Sequence, residues 1–143
     1  MALEISEILS NYDLDVRNCV RIRGGFLLDT EKGYKLLREF GRSKELLTGL
    51  NEFRKCLIEA GYGSIDTFFE SKEDSLYTEY DDKTYVIMNY FNARECDIGN
   101  EKEVLAGVRE LAMLHKAFDN MKTPIELPYE ADCRTVFEKR TRE

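Results

Sequence analysis

The stretch RIRGGFLLDTEKGYKLL, residues 21–37, decides the fold. Gly24 and Gly25 interrupt an apolar run, and Glu31-Lys32-Gly33 is a second turn signal that ends in a glycine able to adopt a positive φ angle. These two turns predict three consecutive strands in antiparallel order. Lys35 lies among the apolar residues of the third strand, so the stretch fits either a phosphate-binding site or a pair of hairpins with an amphipathic lysine.

The rest of the chain continues as helices and further strands. Helical spacing predicts a short helix over 3–10, a long helix from the cap Ser43 to about residue 60, and another over 101–118. Strands are predicted in 65–70, 75–80 and 84–91, the last two joined at Asp81-Asp82-Lys83. We therefore expect an α+β fold: a mostly antiparallel sheet of about five strands, with a long helix inserted after the third strand and helices following.

Composition limits the classes of partner and the compartment. A chain of 143 residues, 43% hydrophobic, suits one core, and its net charge of −7 disfavours non-specific binding to nucleic acid. The longest apolar runs are far short of the roughly 20 residues that cross a bilayer, so no membrane partner is expected. The four scattered cysteines lack metal-ligand spacing, which predicts reduced thiols, no metal site and a cytoplasmic protein.

Four segments together resemble a known family. They are NYDLDV (11–16), RGGFLLDTEKGYKLLREF (23–40), YVIMNYFNARECD (85–97) and LAMLHKAF (111–118). Their order and spacing resemble the small lobe of the protein-kinase-like fold. The likeness is closer to the aminoglycoside-phosphotransferase and choline-kinase branch than to eukaryotic protein kinases, and within that branch the chain resembles the spore coat protein S (CotS) family.

The resemblance implies a bilobal protein of which this chain supplies the first lobe. Residues 1–100 would be the kinase-like N-lobe, and residues 101–143 a helical hinge or linker region leading into a C-lobe that is missing here. In such proteins the second lobe carries the catalytic and Mg²⁺-binding residues. No catalytic residue is therefore assigned in this chain, and ATP and Mg²⁺ are expected only for the full-length protein.

The resemblance also assigns residues to a nucleotide site. Lys35 matches the lysine that contacts ATP phosphates, and the best glutamate partner on the following helix is Glu52, with Glu45 second. Gly24 and Gly25 take the place of the glycine-rich loop, although a plain hairpin turn or bulge explains them equally. If the Lys35 amine lies in water, changing Lys35 to Ala should leave folding nearly intact.

The end of the last strand resembles the hinge of this fold. Met88, Asn89 and Tyr90 would offer backbone groups to adenine, and the alternative is a plain strand end. Since a lone lobe lacks its companion, Tyr90, Phe91, Leu114 and Phe118 are expected to form an apolar face that favours self-association.

Three functions remain open at this point. The favoured one is a structural role in assembling a spore coat, with other coat proteins or the missing C-lobe as partners, made in the mother-cell cytoplasm and not catalytic as it stands. The alternative is the nucleotide-binding lobe of an ATP-dependent phosphotransferase of small molecules or proteins. The third is a stand-alone α+β interaction domain.

Overall fold

The structure is a computed structural model that describes residues 3–122, apart from the side chains of residues 3 and 4. Its elements, in chain order, are α1 (Leu3–Ser10), β1 (Val16–Ile22), β2 (Gly25–Thr30), β3 (Gly33–Glu39), α2 (Lys44–Glu59), β4 (Phe68–Phe69), β5 (Thr78–Tyr80), β6 (Lys83–Asn89) and α3 (Glu101–Asn120). The predicted α+β class and the helix inserted after the third strand are confirmed. The predicted loop and partial helix after residue 122 lie outside the described residues.

One antiparallel sheet holds all the strands found within residues 3–122. Its strand order is β1-β2-β3-β6-β4, and β5 forms an additional antiparallel pair with β6. The sheet thus has six strands where about five were expected. Two of the predicted strands, 65–70 and 75–80, shrink to Phe68–Phe69 and Thr78–Tyr80, and the segment between them contains a turn at residues 72 and 73.

Local sequence chemistry explains the elements that position the site. In α2, the Ser43 side chain accepts a hydrogen bond from the Leu46 N–H at 3.2 Å, which satisfies one free donor at the helix start. The β5–β6 hairpin turns through Asp81 and Asp82 with φ angles of 49° and 58°, a conformation that aspartate tolerates better than most residues.

The two faces of the sheet carry different helices. On one face the buried Ile8 of α1 and Tyr12, two residues after that helix, pack against Leu28 of β2, Leu37 of β3 and Ile87 of β6. On the other face α2 packs Leu47 against Phe68 of β4 and Val86 of β6. Neighbouring strand residues point to opposite faces, so Val86 and Ile87 mark the α2 face and the α1 face of the sheet.

Candidate functional site

Lys35 lies on the α1 face of the sheet, with little contact with water. It pairs across the strands with Leu28, a core residue of that face, and the whole residue is only 7% exposed. Its ammonium group lies 5.5 Å from the centre of the Phe69 ring, a cation–π distance. The alternative of an amphipathic lysine with its amine in water does not hold in this structure, because the ring and the neighbouring strands enclose the side chain.

Asn89 is the hydrogen-bond partner of that ammonium group. The Lys35 Nζ donates to Asn89 Oδ1 at 2.5 Å, and the Asn89 Nδ2 donates to Asp66 Oδ1 at 2.7 Å. The backbone N–H of Asn89 also donates to Asp66 Oδ2 at 3.0 Å. Sequence reasoning placed Lys35 and Asn89 in the site but missed Asp66, which lies 23 residues before Asn89 in a segment without a motif.

Glu52 does not reach Lys35. Within residues 3–122 no ion pair joins Lys35 to an acidic side chain, and Glu52 is exposed on α2. The physical reason is the sheet itself, since Lys35 points to the α1 face and α2 packs on the opposite one. Glu45, the second candidate, is also exposed on α2. The predicted Lys35–Glu52 pair is therefore wrong for this structure.

Asn51 turns inward on α2, one residue before Glu52. It is only 4% exposed, and its Oδ1 atom has no hydrogen-bond partner in the described part of the chain. One turn further along the helix, the Arg54 guanidinium lies 4.6 Å from the centre of the Phe68 ring. Burial lowers the pKa of Arg54, and the nearby Asp66 charge acts in the opposite direction. Arg54 thus faces Phe68 and lies near Asp66, and not near Lys35.

Gly24 and Gly25 both have structural reasons to be glycine. Gly24 has a φ angle of +89° in the two-residue turn between Ile22 and Gly25, a conformation that favours glycine. At Gly25 a Cβ atom would lie 2.3 Å from the carbonyl oxygen of Leu37, so any side chain would force β3 away. The turn is a tight hairpin, and a phosphate contact at these glycines stays a prediction.

A row of apolar residues crosses the α2 face beyond the edge of α2. Cross-strand pairing joins Val20 to Leu27, Leu27 to Leu36 and Leu36 to Met88. Val20 is 48% exposed, whereas Met88, at the other end, packs against the core beneath α2. These four residues form what we call the open sheet face. It is an apolar surface about four strands wide that neither α1 nor α2 covers fully.

Arg38 is the cation that lies on this face. It pairs with Val86, which marks the α2 side, and a Cβ atom at Gly25 would lie 3.2 Å from the Arg38 Cβ. Arg38 is exposed, and no ion pair or side-chain hydrogen bond engages it within residues 3–122. The signal that could have found it is strand alternation, because residues 35 and 38 must point to opposite faces. The sequence does not show which of those faces stays open.

The predicted hinge, Met88 to Tyr90, spans the end of β6 at Asn89. The N–H of Tyr90 donates to the carbonyl of Tyr34 at 3.0 Å, so it is not free for a ligand. The N–H groups of Phe91 and Asn92 have no partner among the residues described. Of the three predicted hinge residues, Met88 lies on the open sheet face, Asn89 bonds Lys35 and Asp66, and Tyr90 continues the ladder. Adenine binding at any of them stays a prediction.

Glu103 ties the segment after the hinge to α3. Its Oε2 atom accepts a hydrogen bond from the Asp97 N–H at 2.9 Å, and its Oε1 atom pairs with Arg94. Asn100, the N-cap of α3, donates to the same Oε1 atom at 3.0 Å. These donors, Arg94 first, lower the pKa of Glu103 below its ordinary value.

The outer side of α3 is apolar and exposed. Exposed Val104, Val108 and Leu111 follow one another at helical spacing. Nearer its end α3 contacts α2, where Ala117 is buried and Phe118, on the same side of α3 as Leu111, stacks on Phe53 at 5.9 Å between ring centres. Of the residues predicted to form an apolar face, Phe91 and Phe118 are 66% and 43% exposed, and Tyr90 and Leu114 are half-buried.

Two negative findings apply to the described residues alone. Between residues 3 and 122 no helix is both long enough and apolar enough to span a bilayer. In the same range no three His, Cys, Asp or Glu side chains come together as a metal-binding group.

Comparison with known proteins supports the fold and no family. No family model and no curated protein matches the chain. Among solved structures, it is similar to the crystal structure of an aminoglycoside phosphotransferase from Alicyclobacillus acidocaldarius subsp. acidocaldarius DSM 446, with a TM-score of 0.75 and 17% sequence identity. The match covers 96% of this chain and 40% of that one, so the chain spans about two fifths of the neighbour's length. The chain therefore has the α+β architecture of a kinase-like small lobe.

Proposed function

We propose that this chain is the nucleotide-facing small lobe of a kinase-like phosphotransferase whose other lobe supplies the chemistry. The observation that carries the proposal is the open sheet face, an apolar row that runs from Val20 to Met88 and ends beside the hinge. Support comes from the structural neighbour, described as an aminoglycoside phosphotransferase, which has the same fold over 96% of this chain.

Each part of the face has a role that suits a nucleoside phosphate. The apolar row offers a flat surface for the base, and burial of apolar area there contributes about 25 cal/mol per Å². The free N–H groups of Phe91 and Asn92 can donate to acceptor nitrogens at the edge of the base. Arg38, which lies next to Gly25, is a cation available to the phosphates. Lys35 has no part in this, since it lies on the other face.

Magnesium does not fit the residues described here. A Mg²⁺ ion needs oxygen ligands in near-octahedral geometry, and the described part of the chain gathers no group of three acidic or metal-binding side chains. We therefore assign no metal ligand and derive no step of phosphoryl transfer from these residues. The substrate and catalytic activity of a whole protein remain proposals.

A non-catalytic role is the second candidate, and one observation favours it. The lysine that the resemblance assigns to ATP is enclosed on the α1 face with an asparagine partner, and no glutamate of α2 reaches it. A lobe of this kind could serve assembly. Its assignment to a spore coat depends on motif resemblance alone and stays a prediction.

The test compares ATP with adenosine on matched variants. Phosphate contact at an exposed arginine is worth about 0–1 kcal/mol, so ATP should bind up to about fivefold more tightly than adenosine. Arg38→Met should abolish that preference, while Arg42→Met, a change at another exposed arginine just beyond β3, should keep it. Calorimetric titration measures both affinities. An ATP preference that survives Arg38→Met would contradict the assignment of the phosphates to this face.

A further inference from the structure

The polar contacts at the end of β6 form a chain that runs from Lys35 through Asn89 to Asp66. We infer that these three residues act as a clasp that fixes where the hinge leaves the sheet, with Asp66 as the positioning residue. The inference depends on the proposed function only for its effect on nucleotide binding. The clasp itself is a property of the chain without ligand.

Asp66 holds Asn89 at two points. Its Oδ2 atom accepts from the Asn89 backbone N–H at 3.0 Å, and its Oδ1 atom accepts from the Asn89 side-chain amide at 2.7 Å. The same Oδ1 atom accepts from the N–H of Thr67 at 2.9 Å. Two contacts to one residue fix both its main chain and its side chain, and Asn89 is the last residue of β6 before the hinge.

Lys35 fixes the orientation of the Asn89 amide from the other side. Its ammonium can only donate, so it requires the oxygen of Asn89, and the NH₂ group of Asn89 then points to the carboxylate. The amide thereby joins a cation and an anion that are not in direct contact. A buried ammonium needs such compensation, because desolvation penalises an unpaired charge.

The clasp lies next to α2 as well as next to the hinge. Asp66 precedes β4 by two residues, and Phe68 of that strand carries the Arg54 guanidinium 4.6 Å from its ring centre. The charges of Asp66 and Arg54 also interact. Asp66 therefore lies near α2 while it bonds the end of β6.

Hydrogen exchange without ligand tests the clasp directly. The reporter is the Tyr90 amide, which bonds the Tyr34 carbonyl and touches no clasp residue through its own N–H. In Asp66→Asn and in Asn89→Ala we expect the Tyr90 amide to exchange about tenfold faster, relative to the Ile87 amide in the same strand. Dividing the exchange rate of the Tyr90 amide by that of the Ile87 amide corrects for any loss of global stability. Glu70→Gln is the matched control, because Glu70 is an exposed carboxylate of the same segment whose partner, among the residues described, is Lys55.

A second pair of variants tests the lysine. Lys35→Met should raise the same exchange ratio, whereas Lys32→Met should not, although both ammonium groups lie within 5.5 Å of the Phe69 ring centre. Lys32 is exposed and pairs with Asp13, so it contacts the same Phe69 ring but does not bond Asn89. Equal exchange ratios in wild type, Asp66→Asn and Asn89→Ala would overturn the inference.

Nucleotide titration of the same variants separates this inference from the proposed function. If both are correct, Asp66→Asn weakens adenosine binding about two- to fivefold by loosening the Phe91 and Asn92 donors. If the exchange ratio rises but wild type binds no adenosine, the clasp stands and the proposed function fails. If adenosine binds and the exchange ratio stays constant, the clasp fails and the proposed function stands.

Discussion

Replacement of Lys35 is the perturbation for which the structure gives the clearest magnitude. Lys35→Ala removes the hydrogen bond that the charged Lys35 ammonium donates to Asn89, worth about 1.5–3 kcal/mol. The same change removes a cation–π contact with Phe69 worth about 0.5–2 kcal/mol. It also removes the enclosed alkyl stem, while relief of the desolvated charge offsets part of the loss. We expect the free energy of unfolding to fall by about 2–4 kcal/mol. Lys35→Met, which keeps an apolar stem, should lose about 1–2 kcal/mol.

The assay is urea unfolding followed by circular dichroism at the helix band, because the chain has no tryptophan. Lys32→Ala is the matched control, since Lys32 lies 5.4 Å from the same Phe69 ring but is exposed, and it should lose less than about 1 kcal/mol. A Lys35→Ala protein within about 0.5 kcal/mol of wild type, and indistinguishable from Lys32→Ala, would refute the enclosed position of Lys35. That result would restore the amphipathic, solvated lysine that the sequence left open as an alternative.

Three further predictions follow from buried, charged and exposed groups. Asn51→Leu should raise the free energy of unfolding by about 1–2 kcal/mol in urea, because it removes a buried acceptor without a partner. A loss of stability would mean that Asn51 has a partner. The pKa of Glu103 is lowered chiefly by Arg94. The contacts of the Glu103 carboxylate with Arg94 and the Asp97 N–H should therefore be complete above the pKa of an unfolded glutamate, about 4.3, and should weaken as the pH falls through the lower pKa of the folded state. Protection of the Asp97 amide should fall at the same time, and a pH-independent protection would contradict this. The wild-type protein should self-associate through the exposed apolar side of α3. The double change Val108→Ser and Leu111→Ser should then reduce the sedimentation coefficient at high concentration. A wild-type monomer at that concentration would count against self-association through this side.

The elements were predictable where local chemistry is strong. The turn at Glu31-Lys32-Gly33, the turn at Asp81-Asp82 and the cap at Ser43 all mark boundaries that the structure confirms. The strands in the segment between α2 and β6 were not predictable in length. There β4 keeps two residues, and the pairing of Phe68 with Met88 depends on a partner strand, not on local sequence.

The site was less predictable because it depends on which face of a strand stays open. Alternation shows that Lys35 and Arg38 point to opposite faces, but only the positions of α1 and α2 decide which of the two is enclosed. A family motif assigned the role to Lys35, and the packing of α2 leaves Arg38 on the open face. Asp66 could not be found either, since its contacts with Asn89 are made across the tertiary structure and leave no spacing signal in the sequence.

Mapping of MgATP by nuclear magnetic resonance tests the central claim most directly. The account predicts binding no tighter than about millimolar, close to −4 kcal/mol, because a single lobe encloses the nucleotide on one side only. It also predicts shifts of the methyl groups of Val20, Leu27 and Leu36 and of the Phe91 amide, with Ile8 on the α1 face unchanged. Shifts centred on Ile8, or a micromolar site abolished by Lys35→Met in a folded protein, would contradict the account.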